Sequence, residues 1–363
     1  MDNVELFRKA AEILEGGQSV GLVTVVATTG STPGKVGYKM LVLGDGSIAG
    51  TIGGGFLEAQ MIEEARRMLE RPAVRLLRFQ VGETPDDEKG ICGGSVEFLI
   101  ETFDPASLPL FHDLAAVVDR EEGGVLVSLI LPGQPPRKMR LGPVDAVETL
   151  GAVGQAPPYQ EIAAAVDEVL AAGTGGIRVS AADVEVFVEP LARPPRAILF
   201  GAGHVSSHIA RYARSVHFSV TVCDDRPEYA NRVRFPDADE IVVEDFGRAF
   251  DKIRIDDHSY VVIVTRGHRC DGIVLEQAVR SGARYIGMIG SKRKTLTLLQ
   301  KLRDTGVASE RLDRVYAPIG ASIGALTAEE IALSIVCELV KVRRLGDEAG
   351  IGHMSLSRQR TGP

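Results

Sequence analysis

The chain has 363 residues, of which 45% are hydrophobic and 25% are charged. That much apolar material can form large buried cores, and the length is typical of two domains rather than one. The formal net charge is −8, which argues against general binding to nucleic-acid backbones because such binding needs a basic surface.

Neither a membrane segment nor a disulfide framework is indicated. The longest apolar runs, residues 20–27 and 260–264, are far shorter than the roughly 20 residues of a membrane helix. The N-terminus lacks the basic and apolar regions of a secretory signal. The four cysteines lie far apart and form no C-x-x-C pair, so neither a disulfide scaffold nor a zinc ribbon is predicted. We therefore expect a cytoplasmic protein with reduced thiols and with no membrane or nucleic-acid partner.

Hydrophobic periodicity in the first half of the chain predicts helices mixed with strands. The predicted helices cover residues 4–15, the segment from Gly55 to about 69, 108–120 and 159–171. The predicted strands cover residues 20–28, 38–43, 48–52, 74–79, 96–103, 124–131 and 184–188. Two prolines in the segment 192–195 then suit a linker, because they stiffen the chain and remove backbone donors.

Beyond this linker the pattern becomes a regular alternation of strands and helices. The predicted strands cover residues 196–200, 218–224, 240–243, 259–265 and 284–289. The predicted helices cover residues 204–215, 247–253, 272–281, 292–304 and 327–343. Such alternation is typical of right-handed crossovers and a parallel sheet.

A glycine-rich turn follows the first strand of this half. Gly201, Gly203 and Ser206 occupy the three small-residue positions of a G-x-G-x-x-G pattern, with serine in place of the third glycine. In dinucleotide-binding domains the first glycine permits the tight turn, the second lets the backbone approach a pyrophosphate, and the third permits close helix–strand packing. The helix that begins at His204 offers free N–H groups to a phosphate.

An acidic pair at the end of the next strand extends this pattern. Asp224 lies 21 residues after Gly203, a spacing at which an acid hydrogen-bonds a ribose 2′-hydroxyl, which favours NAD over NADP. Asp225 stands beside it, and Arg226 could instead receive the 2′-phosphate of NADP. The alternative interpretation is a Rossmann-like domain whose site is empty or holds another nucleotide.

Polar residues after two further strands are expected at the same edge of the sheet, because ligands of open α/β sheets bind outside the carboxyl ends of the strands. These candidates are Arg266, His268, Ser291, Lys292 and Arg293. Alternatively, Ser291 only caps a helix and the cations are only solvated. The sequence thus predicts an N-terminal mixed α/β domain over 1–191, a C-terminal Rossmann-like doubly wound parallel sheet over 196–345, and a flexible tail over 346–363.

Glycines also join a strand to a helix in the first domain. The backbone amides of Gly53, Gly54 and Gly55 could form an anion-binding nest, although a tight turn without a ligand explains the spacing as well. Glu58, in the first turn of the helix, favours the helix dipole but would repel a phosphate placed too near.

One cysteine lies in a polar loop of the first domain and is followed by Gly93 and Gly94. Cys92 is therefore a candidate sulfur carrier or soft-metal ligand, although cysteine is often an inert buried residue. The other three cysteines are interpreted as buried. His204 and His208 have the spacing of a metal pair, but no carboxylate motif accompanies them and no metal is expected.

Short motifs spread over nearly the whole chain carry a resemblance to a known family. They cover residues 30–33, 37–42, 50–55, 92–94, 200–205, 224–228, 265–268, 285–293, 318–320, 323–325 and 327–332. With these motifs in this order, the chain resembles the XdhC/CoxI family of maturation factors for molybdenum hydroxylases such as xanthine dehydrogenase.

The resemblance implies a protein that binds the molybdenum cofactor, protects it and helps to deliver its sulfurated form to an apo molybdenum hydroxylase. It also implies a cofactor-handling first domain, a Rossmann second domain, often a homodimer, and a cysteine desulfurase as a further partner. The cofactor carries a terminal phosphate, which suits glycine amides and Lys39, and a dithiolene, so that Cys92 suits a Mo–S centre or a persulfide. Gly34 departs from the arginine that is common at its position in the family, and Lys35 or Lys39 could compensate.

Three functions stay open at this point. The first is a molybdenum cofactor chaperone without turnover, in which Cys92 acts on the cofactor and the other candidates bind it. The second is an NAD(P)-dependent oxidoreductase, although no proton-relay pair is evident. The third is a binding module in which NAD or a related nucleotide controls partner docking.

Overall fold

The structure, a computed structural model, describes residues 3–81, 94–116, 124–141, 159–172, 175–181, 184–191 and 193–346. Its contacts divide the chain into two compact units, Met1–Arg193 and Pro194–Pro363. Within the described ranges, no helix has both the length and the apolar character needed to cross a bilayer.

The first unit contains two antiparallel sheets. Its strands are β1 (Val20–Thr29), β2 (Lys39–Val42), β3 (Ile48–Gly50), β4 (Val74–Val81), β5 (Gly94–Phe103), β6 (Gly124–Ile130), β7 (Arg137–Leu141), β8 (Ile177–Ala181) and β9 (Val184–Leu191). Its helices are α1 (Asn3–Glu15), α2 (Gly55–Met68), α3 (Leu108–Ala115) and α4 (Tyr159–Ala172). The five-stranded sheet has the order β3-β2-β1-β5-β4, and the four-stranded sheet has the order β7-β6-β9-β8.

The central strand β1 is buried on both faces, because its residues alternate between two hydrophobic cores. Leu22 packs in a core with residues of α1 and α3. Its neighbour Val23 points to the opposite face and packs in a core with α2. Helix α2 contributes Leu57, Met61 and Ala65, which are spaced four apart and therefore share one side of the helix.

Two buried ion pairs join the five-stranded sheet to the four-stranded sheet. Lys39 Nζ of β2 lies 2.6 Å from Glu189 Oε2 of β9, and Lys138 Nζ of β7 lies 2.6 Å from Glu101 Oε2 of β5. All four side chains are at most 2% exposed. A buried charge is tolerated only when it is paired, and separation of such a pair is costly. The two pairs therefore fix how the sheets align, whereas hydrophobic contacts alone would allow them to shift.

The burial of Lys39 corrects the prediction that it contacts a phosphate. Its ammonium group contacts Glu189 and lies 3.4 Å from Thr24 Oγ1, and only 1% of its side chain is exposed. Burial lowers the pKa of Lys39, and the nearby charge of Glu189 only partly offsets this effect. An anion from solvent would have to displace Glu189 to reach it.

The second unit is a parallel sheet with helices on both faces. Its strands are β10 (Arg196–Phe200), β11 (Ser219–Asp224), β12 (Glu240–Val243), β13 (Ser259–Ile263), β14 (Tyr285–Met288) and β15 (Val315–Tyr316). Its helices are α5 (His204–Ser215), α6 (Ala249–Lys252), α7 (His268–Arg280), α8 (Lys292–Asp304), α9 (Ser309–Leu312) and α10 (Ala328–Leu345).

The strand order in this unit is β12-β11-β10-β13-β14-β15, and every neighbouring pair is parallel. Counted from β10, this is the order 3-2-1-4-5-6 of the dinucleotide-binding fold. The apolar strand residues divide between one core shared with α5 and α10 and another shared with α7 and α8. The prediction of a mixed α/β first domain followed by a Rossmann-like parallel sheet is therefore confirmed.

Four elements differ most from the sequence-based expectation. Strands β7, β8 and β15 and helix α9 were not predicted. Strand β7 consists of Arg-Lys-Met-Arg-Leu, and β15 has only two residues, so neither shows an apolar run. Helix α7 begins at His268 rather than at residue 272, which places His268 in its first turn.

The buried pair between the sheets generates a prediction about stability. Glu189→Gln keeps the shape of the side chain but leaves the ammonium group of Lys39 buried without a negative partner, so we expect a loss of about 3–5 kcal/mol in the unfolding free energy of the first unit. Hydrogen exchange of the β2 and β9 amides across a urea series measures this loss.

The matched control removes an exposed ion pair. Lys9 lies 3.6 Å from Glu12 with both side chains at least half exposed, so Lys9→Ala should change the unfolding free energy by at most about 1 kcal/mol. Equal effects of Glu189→Gln and Lys9→Ala would contradict the interpretation. The double variant Lys39→Met with Glu189→Leu should recover most of the loss, because no buried charge then lacks a partner.

Candidate functional site

The turn between β10 and α5 lies close against the neighbouring strand. Gly201 has a φ of 108°, and a Cβ atom there would lie 2.5 Å from the Val264 carbonyl oxygen, so only glycine fits. Ser206, in the third glycine position, is fully buried and donates its hydroxyl hydrogen to the Gly201 carbonyl oxygen. Gly203 has open space beside its Cα, and His204 is exposed at the start of α5.

Both carboxylate oxygens of Asp224, at the end of β11, accept hydrogen bonds from other groups of the protein. One carboxylate oxygen accepts from the Ala202 N–H at 2.8 Å and from Arg226 Nη2 at 3.1 Å. The other accepts from Arg226 Nε at 2.9 Å and from the Arg226 backbone N–H at 3.1 Å. These four bonds use all of the roughly four positions at which a carboxylate accepts hydrogen bonds. The structure therefore corrects the expectation that Asp224 stands free for a ribose, because such a bond requires Arg226 to move.

The neighbouring acid, Asp225, forms an ion pair that crosses the end of the sheet. Asp225 forms a two-pronged ion pair with Arg266, with both N–O distances at 2.8 Å. Because β11 and β13 lie on either side of β10, this Asp225–Arg266 bridge crosses the carboxyl end of β10, where the glycine turn begins. The structure thus brings two candidate site residues, Asp225 and Arg266, together, but they form an ion pair with each other.

A buried acid lies in the first turn of α7. Asp271 is 6% exposed, and one of its oxygens accepts a hydrogen bond from Thr265 Oγ1 at 2.6 Å. Burial raises the pKa of Asp271 more than the bond from Thr265 and the nearby charge of His268 lower it. His268 Nδ1 lies 4.0 Å from Asp271 Oδ2, and most of the imidazole is exposed.

A cleft of about 500 Å³ opens at the carboxyl end of β14, and we call it the β14 cleft. Its lining consists of His268, Asp271, Met288, Ile289, Gly290, Ser291, Arg293, Lys294, Thr295, Thr297, Leu298 and Lys301. The structure thus brings three of the candidates, His268, Ser291 and Arg293, to one cleft, whereas Arg266 pairs with Asp225 instead. Lys292 was predicted with them, but its side chain does not line this cleft.

Three glycine motifs of the first unit pack against one another at one end of the five-stranded sheet. A Cβ atom on Gly34 would lie 2.2 Å from the Ile52 carbonyl oxygen, and one on Gly53 would lie 2.7 Å from the Gly34 nitrogen. A Cβ atom on Gly94 would lie 2.4 Å from the Thr29 carbonyl oxygen. We call these residues the glycine cluster. A residue with a side chain could not occupy the position of Gly34 without a shift of the Ile52 turn.

The predicted anion nest of the triple glycine is filled by a side chain of the protein. Glu58 Oε2 accepts hydrogen bonds from the N–H groups of Ile52 and Gly54, both at 3.1 Å, and from Thr51 Oγ1 at 2.5 Å. The Gly53 N–H donates to Thr51 Oγ1 at 3.1 Å. The prediction of a nest that receives an external anion is therefore corrected, since the carboxylate of Glu58 takes that place.

The cysteines fall into different environments. Cys92 and Gly93 lie outside the described residues, directly before β5. Cys223 is buried, and burial, followed by the charge of Asp224, raises the pKa of its thiol to about 12. The expectation that the other cysteines are all buried is wrong for Cys337, which is exposed on α10, and Cys270 is only partly buried.

Sequence reasoning missed several residues of the β14 cleft. Asp271, Lys294, Thr295 and Lys301 were not among the predicted site residues. The available signal was the first turn of α8, which reads Lys-Arg-Lys without any acidic residue. A threonine one turn later faces the same side as Ser291, because residues four apart share one side of a helix.

The bonding of Asp224 predicts a structural role for its charge. We expect Asp224→Asn to lower the unfolding free energy of the second unit by about 2–4 kcal/mol, because buried hydrogen bonds to a charged group are lost. Asp225→Asn breaks a more exposed pair and should cost at most about 1 kcal/mol. Urea unfolding followed by hydrogen exchange in β10 and β11 compares the two variants.

The structural role of Asp224 also determines how the stability of the second unit depends on pH. Because the folded-state pKa of Asp224 is lowered, its stabilisation is complete above about pH 4 and is lost as the pH falls through that lowered pKa. Asp224→Asn should therefore flatten the acid limb of the stability curve. An acid limb identical to that of the unchanged protein would contradict this assignment.

Two models of known protein families match this chain, one in each unit. The model of the XdhC and CoxI family matches residues 13–80, and the model of the XdhC Rossmann domain matches residues 197–339. Together they cover more than half of the chain. A crystal structure described as a xanthine dehydrogenase from Bacillus halodurans is similar with a TM-score of 0.75 and 25% identity, over 96% of this chain and 98% of that chain.

Three curated proteins are similar along most of the chain. The uncharacterised protein YqeB of Escherichia coli is 26% identical over 94% of this chain, which spans only 46% of YqeB. A probable xanthine dehydrogenase subunit of Bacillus subtilis is 25% identical over 92% of this chain and 96% of its own length. The molybdenum cofactor insertion chaperone PaoD of Escherichia coli is 24% identical over 94% of this chain and 89% of its own length. With family matches in both of its units, the chain belongs to the XdhC and CoxI family.

Proposed function

We propose that this protein is a molybdenum cofactor-binding maturation factor for an apo molybdenum hydroxylase of the xanthine dehydrogenase type. The observation that carries the proposal is the similarity to an insertion chaperone over 94% of this chain and 89% of that protein. The similarity spans both units, so it is not explained by a shared Rossmann fold alone. In this role the protein holds and releases a cofactor as cargo, and it is an accessory protein rather than an enzyme with turnover.

The described residues of the two units offer different chemistry to such a cargo. In the first unit, the glycine cluster contains Gly34, Gly53 and Gly94, and Gly94 follows Cys92 by two positions in the sequence. A thiol there would suit the soft Mo–S centre or carry sulfur as a persulfide. In the second unit, the β14 cleft offers cations and hydroxyl groups, which suit a phosphate.

Finer features of the proposal follow the family resemblance. We propose that the cofactor is delivered in its sulfurated form, that a cysteine desulfurase supplies the sulfur, and that the protein acts in the cytoplasm as a homodimer. The thiol that would receive the sulfur in this scheme is Cys92. Among the other cysteines, buried Cys223 is unsuited to it because its pKa of about 12 leaves almost no thiolate near neutral pH.

Retention of the cofactor tests the proposal. Protein purified from a host that makes molybdopterin should carry about one molybdopterin per chain, measured by mass spectrometry of the released ligand. Cys92→Ala should lower the retained amount or its sulfur content and reduce activation of an apo-hydroxylase several-fold. Cys337→Ala, on exposed α10, is the matched control and should behave as the unchanged protein.

The outcomes separate the whole proposal from the role of Cys92. Protein without molybdopterin and without any effect on hydroxylase activation would refute the maturation function. Normal retention and normal activation by Cys92→Ala would remove only Cys92 from the scheme, and the cofactor would then be held by other residues.

A second candidate function is supported by the strand order of the second unit. The order 3-2-1-4-5-6 with a glycine turn after β10 is that of domains that bind NAD or NADP. The chain could accordingly be an NAD(P)-dependent oxidoreductase, or a module in which a nucleotide controls docking. The bonding of Asp224 and the Asp225–Arg266 bridge weigh against it, because both close the path that a dinucleotide takes.

This second candidate has its own test. If NAD binds at the glycine turn, the Asp225–Arg266 bridge must open, so Asp225→Asn should tighten NAD binding by up to about fivefold, the equivalent of an exposed ion pair worth about 1 kcal/mol. Calorimetric titration of both proteins with NAD and with NADP measures this change. If neither nucleotide binds either protein, the nucleotide functions are excluded.

A further inference from the structure

The β14 cleft has an uneven distribution of charge. Arg293, Lys294 and Lys301 of α8 line it, and the acid that lines it is Asp271 of α7. Among the described residues, none of these three cations has an acidic side chain within 4.0 Å, whereas exposed arginines elsewhere in this unit, such as Arg248, form such pairs. The cleft therefore attracts anions.

A buried hydroxyl group in the lining lacks a hydrogen-bond partner. Thr295 is 0% exposed, and its Oγ1 forms no hydrogen bond to any described residue. Its backbone N–H is bonded to the Ser291 carbonyl oxygen, so the residue is fixed in the helix. A Cβ atom on Gly290 would lie 3.7 Å from this hydroxyl oxygen, which places the hydroxyl beside the turn that borders the cleft. A buried hydroxyl group without a hydrogen-bond partner is destabilising, so its presence at Thr295 points to a ligand in the cleft that bonds to it.

The N-terminus of α8 is also open to a ligand. Ser291 is the N-cap residue, yet its side chain makes no capping bond, and the first turn contains no acidic residue. The first N–H groups of a helix have no partners within the helix, and they carry the positive end of its dipole. By contrast, Glu330 completes a capping box at the start of α10.

From these three observations we propose that the β14 cleft binds a phosphate group at the N-terminus of α8. The phosphate accepts hydrogen bonds from the Ser291 and Thr295 hydroxyls and from the first helical N–H groups, and Arg293, Lys294 and Lys301 balance its charge. The volume of about 500 Å³ is within the range of small-molecule sites, so the ligand is a phosphate ester with a further group attached. This inference goes beyond the proposed function, because the phosphate could belong to a pterin or to a nucleotide.

Asp271 does not prevent this assignment. Its carboxyl group is buried and accepts a hydrogen bond from Thr265. It is also faced by the imidazole of His268 and by the positive charge of Lys294. The remaining cations at the lining, Arg293 and Lys301, leave the cleft with an excess of positive charge.

The first experiment measures phosphate binding without the cofactor. Full-length protein is made in a host that cannot synthesise molybdopterin and is titrated with inorganic pyrophosphate and with AMP by calorimetry. Thr295→Val should weaken binding about tenfold, while the unliganded variant should melt at the same or a higher temperature because the orphaned hydroxyl is gone. Thr295→Ser keeps the hydroxyl and should bind as the unchanged protein does.

Charge is tested with a matched pair of variants on the same helix. Arg293→Ala removes a cation of the lining and should weaken binding severalfold and reduce its dependence on salt. Arg303→Ala removes a cation from the last turn of α8, outside the cleft, and should leave the affinity unchanged. Equal losses in both variants would indicate unspecific attraction and overturn the site, as would binding that is unaffected by Thr295→Val or no binding of either probe.

The second experiment identifies the source of the phosphate and keeps the two proposals separate. Thr295→Val is also purified from a molybdopterin-producing host. A loss of retained molybdopterin assigns the phosphate to the pterin. Normal retention, with pyrophosphate or AMP binding still dependent on Thr295, assigns the cleft to another phosphate ester. If the unchanged protein retains no molybdopterin and has no effect on hydroxylase activation, but binds pyrophosphate through Thr295, the phosphate site is supported and the maturation function is refuted.

Discussion

The backbone N–H groups of a turn bind whichever acceptor lies nearest, and in this protein that acceptor is often a carboxylate of the same chain. Asp224 accepts from Ala202 in the glycine turn of the second unit, and Glu58 accepts from Ile52 and Gly54 in the first. An internal carboxylate is always present at high effective concentration, so an external anion must displace it at a cost. The same physical interaction that makes a glycine turn attractive to phosphate therefore also closes it when an acid lies within reach.

Helix α8 shows the opposite situation. Its first turn contains only basic residues, and the cap residue Ser291 does not use its hydroxyl for the helix. The buried Thr295 adds a second hydroxyl without a partner among the described residues. Where the chain supplies no acceptor of its own, the donors stay available to a ligand. Whether a carboxylate of the chain reaches the turn thus separates turns that serve the fold from the one we propose for binding.

The features that depend on local pattern and on chain order could be predicted from the sequence. Alternating strands and helices, together with the turn at Gly201, were sufficient for a Rossmann-like second domain, because parallel sheets follow few topologies. Strand β7 looks like a surface segment, and it could not be predicted because the side chain of Lys138 is buried through its pairing with Glu101, which is distant in sequence. Among the residues that line the β14 cleft, Ser291 and Arg293 were candidates because of their position after a strand. The internal partners of Lys39, of the triple glycine and of Asp224 were not predicted, because a sequence does not reveal which partner reaches a polar group first.

The proposed phosphate site and the glycine turn of a dinucleotide site are separate features of the second unit. The Asp225–Arg266 bridge closes the ends of β11 and β13 over the glycine turn, whereas the β14 cleft opens at the next strand. A dinucleotide bound in the usual way must break the bridge and free Asp224 from Arg226. A ligand recognised through one phosphate in the β14 cleft needs neither change. A cargo with a single terminal phosphate therefore meets fewer obstacles in this fold than NAD does, and this favours a carrier over a dehydrogenase.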